Sequence, residues 1–92
     1  RYALSPEENV VLSRSRINRL FQDSIIRVDS ALNQIVLHTI PGSASAVAFS
    51  VDHAKWSEVI GTLAGDDTIL LICRSVEEVD SVLKRIADLM KE

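Results

Sequence analysis

What the 92-residue sequence lacks narrows it first. Cysteine occurs once, at Cys73, so a disulfide framework or a multi-cysteine metal site within one chain is excluded. That count fits a reducing compartment, and a cytoplasmic location is expected. Aromatic residues are scarce, with one Trp, one Tyr and two Phe, so the core has to be built from Val, Ile, Leu and Ala. No apolar run reaches the roughly 18–20 residues that span a bilayer, and no membrane partner is expected. No charged n-region followed by an apolar h-region opens the chain. Gly-rich phosphate-binding sequences of the Walker or dinucleotide type are missing. The first residue is Arg1 rather than Met, which reads as a piece of a longer protein. A chain this short buries only about two-thirds of its extended surface, so assembly with other copies is expected.

What is present is ordinary for a single globular domain: 47% hydrophobic and 25% charged residues. The net charge of −3 argues against direct nucleic-acid binding by this segment. Its distribution is uneven. Residues 1–27 are net positive, whereas residues 28–73 carry one cation, Lys55, against Asp29, Asp52, Glu58, Asp66 and Asp67. Carboxylates that converge in this middle stretch lack an internal partner, which favours a cationic ligand.

The pattern of apolar residues predicts a helix, two strands, a helix, two strands and a final helix. Residues 1–12 read as an entry segment broken by Ser5-Pro6. Ser13 is a plausible N-cap for a helix over 14–23, with Ile17, Leu20 and Phe21 on one edge and Arg14, Arg16 and Arg19 on the wet side. The β-branched stretches 25–29 and 34–40 form a hairpin, ended by Pro41-Gly42. Residues 43–54 form a helix of small side chains, with Ala44, Val47, Ala48 and Val51 on one face and Ser45, Asp52 and Phe49 near another. Residues 59–64 and 68–73 are strands joined by Gly65-Asp66-Asp67. The second is apolar from Ile69 to Cys73, which places it centrally with both faces buried. Ser75 and Glu78 fit a capping box opening a helix to about residue 90. The fold class is therefore α+β: a two-layer sandwich with a four-stranded, mainly antiparallel sheet and a preceding N-terminal helix.

Catalytic constellations are thin. His38 lies in a strand and His53 on the small-residue helix, and neither has a Cys or carboxylate at triad or metal-ligand spacing, so no metal is expected. Ser43 and Ser45 sit near a helix start, where serine caps. Trp56 reads as a packing anchor and Cys73 as a core thiol. Asp52 stands in a last helical turn, where the dipole disfavours an anion; it is either a solvated surface acid or the partner of a cation. Asp66 and Asp67 likewise allow two readings. They serve the turn's backbone, or they present paired oxygens to a guanidinium, whose planar fork of donors matches carboxylates two at a time.

The stretch from Gly61 through Thr-Leu-Ala-Gly-Asp-Asp-Thr-Ile to Leu70 resembles the signature of the C-terminal domain of bacterial arginine repressors. The likeness continues through Val28-Asp-Ser30, Ile35 to Thr39, Pro41-Gly42 with its helix, and Leu71 to Arg74. Arg1-Tyr-Ala-Leu4 resembles the closing strand of that family's winged DNA-binding domain, so residues 1–12 would be its end plus a linker and 13–92 the arginine-binding and oligomerisation domain. The resemblance implies trimers that pair into a hexamer, with L-arginine as corepressor at the trimer–trimer interface and no further cofactor. Operator DNA would be bound only by the winged domain. Carried over by position, Asp66 and Asp67 would face the arginine's cationic groups, Thr62 and Ala64 would offer hydroxyl and backbone contacts, and Asp52 would meet its amino end. Ser45 stands where the family usually has Gln or another long polar side chain, which weakens polar recognition there. The implied function is arginine sensing and hexamerisation in a transcriptional regulator. An alternative is a purely structural oligomerisation domain that senses arginine weakly or not at all; a small dehydratase-like enzyme is the third reading, against which neither histidine has a catalytic partner.

Overall fold

The computed structural model describes residues 16–91. Residues 16–24 are helical (α1). They lead directly into β1 (Ile25–Ala31) and β2 (Gln34–Thr39). Helix α2 (Ala44–Ala54), β3 (Val59–Ala64) and β4 (Thr68–Cys73) follow, then a 3-10 turn (Val76–Glu78) and α3 (Val79–Met90). The expected start of α1 at Ser13 and Arg14, and the expected linker at 1–12, lie outside the described residues.

The four strands form one sheet in the order β1-β2-β4-β3, with every neighbouring pair antiparallel. β4 is inserted between β2 and β3, so α2 carries the chain over the sheet from a central strand to an edge. One apolar cluster joins Phe21 of α1, Val47 and Val51 of α2, and Val82 and Ile86 of α3 to Ile35, Leu37, Ile69 and Leu71 of the central strands. All three helices therefore cover the same sheet face, which is the two-layer α+β sandwich expected from the pattern. Ala44 and Ala48, both buried, keep the α2 side of that cluster thin and allow the helix close to β3 and β4.

β4 is central, as expected, but buried on one face only. Ile69, Leu71 and Cys73 are buried, while Leu70 and Ile72 between them are half-exposed. The helices lie on one side, and among the described residues nothing covers the other. Pairing aligns Asp29, Val36, Leu70 and Leu63 in a row across this open face, and Leu63 is 72% exposed. The expected capping box at the start of the last helix is also replaced. The chain enters as a 3-10 turn, so the Glu78 amide is taken by the Ser75 carbonyl at 3.2 Å and Glu78 becomes the residue before α3. The Ser75 hydroxyl donates to the Glu78 carboxylate instead, at 3.3 Å.

Candidate functional site

Ser45, Asp52, Thr62, Ala64, Asp66 and Asp67 fall along one band, set by how α2 lies against β3. Helix α2 runs antiparallel to β3: its first residue, Ala44, reaches the turn after the strand, and Asp52 in its last turn reaches Thr62 in the strand's middle. With Ala44, Val47, Ala48 and Val51 buried, the helix period turns Ser45 and Asp52 to its flank. Thr62 and Ala64 pair with Leu71 and Ile69, so they share the helix-covered side of the sheet.

At the middle of the band, the Thr62 hydroxyl donates to the Asp52 carboxylate, 2.9 Å from Oδ1 and 3.0 Å from Oδ2. A hydroxyl has one proton to give, so most of that carboxylate's acceptor capacity stays open. The bond answers part of the puzzle of an acid in a last helical turn.

At the end of the band stand Asp66 and Asp67, whose backbone and side chains do different work. The Asp66 carbonyl accepts from the amides of Gly42, at 3.1 Å, and Ala44, at 3.3 Å. The Asp67 carbonyl accepts from the Thr39 amide at 2.8 Å. The turn is thus stitched to the loop between β2 and α2. Asp66 also caps α2 through its backbone, a role the Ser43 hydroxyl does not take up. Gly42, at φ +84°, gives that loop a left-handed bend that a residue with a Cβ adopts only under strain. The side chains remain exposed. The Asp67 carboxylate accepts from the Thr68 hydroxyl at 3.1 Å. Among the described residues, no Lys or Arg forms an ion pair with Asp52, Asp66 or Asp67. The turn's backbone is therefore fixed by main-chain carbonyls rather than by the carboxylates, and the carboxylates face outward. Ser45, exposed and next to Ala44, lies at this same end.

The remaining candidates fall elsewhere. His38 accepts from the Arg27 guanidinium at 3.0 Å, on the open sheet face. Asp29 joins that group, 3.0 Å from Arg27 Nε. Cys73 is buried, which pushes its thiol above the ordinary value and leaves it inert. Trp56 is an anchor, tilted against Phe21 with centroids 6.5 Å apart and covered by Arg85 at 5.1 Å. No cluster of His, Cys, Asp or Glu among the described residues is arranged to hold a metal, and no described helix is long and apolar enough to cross a membrane.

Two arrangements were not read from the sequence. Glu58 receives a two-pronged bond from Arg85, at 3.0 and 3.1 Å, and another from Ser81 at 3.0 Å. The Arg85 guanidinium foremost, then Glu58's own amide and the Ser81 hydroxyl, hold its carboxyl below the usual range. Residues so distant in sequence gave no signal. Phe49 and His53 stack face to face on α2, and their spacing of four was visible beforehand. A cavity of about 500 Å³ lies between α1 and α2, lined by Arg16, Ile17, Leu20, Phe49, Ser50 and His53. It contains none of Ser45, Asp52, Thr62, Ala64, Asp66 and Asp67, which line an open band rather than an enclosed pocket.

The sequence model of a family described as "Arginine repressor, C-terminal domain" matches residues 21–88. The chain is 46% identical to the arginine repressor of Moorella thermoacetica over 89 residues, covering 97% of this chain and 59% of that protein. Against the arginine repressor of Heliobacterium modesticaldum the identity is 44% over 87 residues, covering 94% and 58%. Against that of Bacillus subtilis it is 42% over 76 residues, covering 83% and 51%. The chain thus spans little more than half the length of these curated relatives.

Proposed function

The chain belongs to the arginine repressor C-terminal domain family, and from that we propose that it binds L-arginine and joins copies of itself in an arginine-responsive transcriptional regulator. The family is one of transcriptional repressors rather than enzymes. The observation that carries the proposal is the Asp66 turn: its backbone is pinned by three amides, and its two carboxylates have no cation among the described residues. A preorganised acidic tip loses little on binding and matches a guanidinium. Asp52, steadied by Thr62, takes the ligand's ammonium. Ala64 between them leaves room for the alkyl stem.

The band is open among the described residues, and a second copy closes it. Arginine bridges the two, its positive charge relieving the repulsion between carboxylates brought face to face. The uncovered sheet face, with Val36, Leu70 and Leu63 in one row, is the apolar surface for building a trimer. Two trimers then meet through the arginine sites. Whatever favours the larger assembly is bound more tightly by it, so ligand affinity and assembly are linked. Operator DNA enters only through a separate domain of a longer protein, since this segment is acidic overall.

Calorimetric titration with L-arginine tests the assignment. Saturable heat that citrulline, which lacks the cation, fails to reproduce is the expected result; absence of heat with L-arginine rejects it.

A further inference from the structure

Helix α2 carries one bulky apolar side chain on its outer side, and it stands between two residues of the band. Phe49 follows Ser45 by four positions and precedes Asp52 by three, spacings that make helical neighbours. It is 69% exposed and belongs to no part of the buried cluster. Its ring lies nearly parallel to the His53 imidazole, with centroids 5.8 Å apart and planes 16° from each other. Helical side chains lean toward the N-terminus, so His53 backs the ring from one side and Phe49 leans toward Ser45. Ser45 is too short to cover the other face.

An aromatic plate beside a carboxylate is a receptor for an organic cation. The ring's negative face attracts the charge, and a planar, weakly hydrated guanidinium stacks on it well. We infer that Phe49, backed by His53, is a specificity-determining wall of the ligand site, stacking on the cationic end of an alkylguanidinium that Asp52 and the Asp66 turn hold by charge. This wall supplies the contact that Ser45 does not reach. The inference rests on the L-arginine reading above.

The test is calorimetry with L-arginine on the 92-residue chain and its Phe49→Ala, Phe49→Leu and Phe49→Trp variants, with sedimentation of each in the absence of ligand. Alanine weakens binding about five-fold, leucine weakens it comparably because bulk without a π-face does not attract a cation, and tryptophan binds at least as tightly as the parent. Unchanged affinity in the alanine variant overturns the inference, as does full retention by leucine, which reduces the ring to apolar packing. Loss of ligand-free assembly at unchanged affinity overturns it too, by assigning the ring to a contact between copies. In each of those cases the parent still binds L-arginine and the sensing role stands; a parent that binds none rejects both.

Discussion

Strand β3 has an acid just outside each end: Glu58 before Val59 and Asp66 after Ala64. At the first end, Glu58 is only 14% exposed at its side chain. It takes both prongs of Arg85 and the Ser81 hydroxyl, while the adjacent backbone is tied to Arg74 through the Ser57 and Glu58 carbonyls. At the second end the backbone is tied just as firmly, but the carboxylates of Asp66 and Asp67 lie in water without a cation from the described residues. One acid is satisfied inside the chain and holds α3 to the sheet. The other is positioned by its neighbours and left open. Charge near a strand end is therefore not informative by itself; what separates a structural acid from a candidate ligand group is whether the fold supplies its counter-ion.

This contrast has measurable consequences. Removing the counter-ion at the satisfied end has the largest effect on folding. Arg85→Ala leaves a mostly buried carboxylate without its main partner and uncovers Trp56, and the expected loss is about 2–3 kcal/mol in urea unfolding. Arginine affinity stays at its original value; an unmoved unfolding midpoint would place Glu58 in the same class as Asp66. At the open end the pattern reverses. Asp66→Asn keeps the backbone bonds and removes one charge, so L-arginine binds about ten-fold or more weakly. Ligand-free stability changes by less than about 0.5 kcal/mol. A large stability loss here would mean that the carboxylate serves the fold.

Acid separates the two ends again. Glu58 has its carboxyl held below the ordinary value of 4.5 in the folded chain. The folded state thus binds fewer protons than the unfolded state around that pH, and stability rises with pH there. The contribution is complete above pH 4.5 and is lost as pH falls below it through the folded-state value. Urea midpoints measured downward from neutral pH should decline across that window, and Glu58→Gln should flatten the decline. The smallest effect concerns the other reach of the band. Ser45→Gln adds a long polar side chain beside the acidic turn and should tighten L-arginine binding about three-fold. Equal affinities in calorimetry would mean that the parent already satisfies the ligand at that end.

Much of the fold was legible because local pattern decided it. The residues of β3 and β4, and the apolar stripe of α3, have one periodicity each, and the structure follows them closely. The insertion of β4 between β2 and β3 was not legible, since strand order depends on pairing between distant segments. Ile69 to Cys73 read as buried on both sides because an apolar face signals that something covers it, and among the described residues only one face is covered. Ser75 and Glu78 have capping-box spacing, yet a 3-10 entry uses the amide that the box requires. In the site, the Asp66 turn was visible as a pair of acids without nearby cations, and Asp52 as an acid in a last helical turn. Their geometry was not: the Thr62 hydroxyl crosses from strand to helix, and the amides that fix Asp66 come from Gly42 in the loop before α2 and from Ala44, the helix's first residue. The Glu58–Arg85 pair spans the longest gap of these and left no trace in local sequence.

Sedimentation velocity of the chain across a series of L-arginine concentrations, with citrulline as the uncharged control, decides whether the open acids receive a bridging cation. L-Arginine should shift the population to a larger assembly in proportion to site occupancy, and citrulline should leave it where it was. An identical size distribution at zero and saturating L-arginine would mean that the cation does not join copies of this chain.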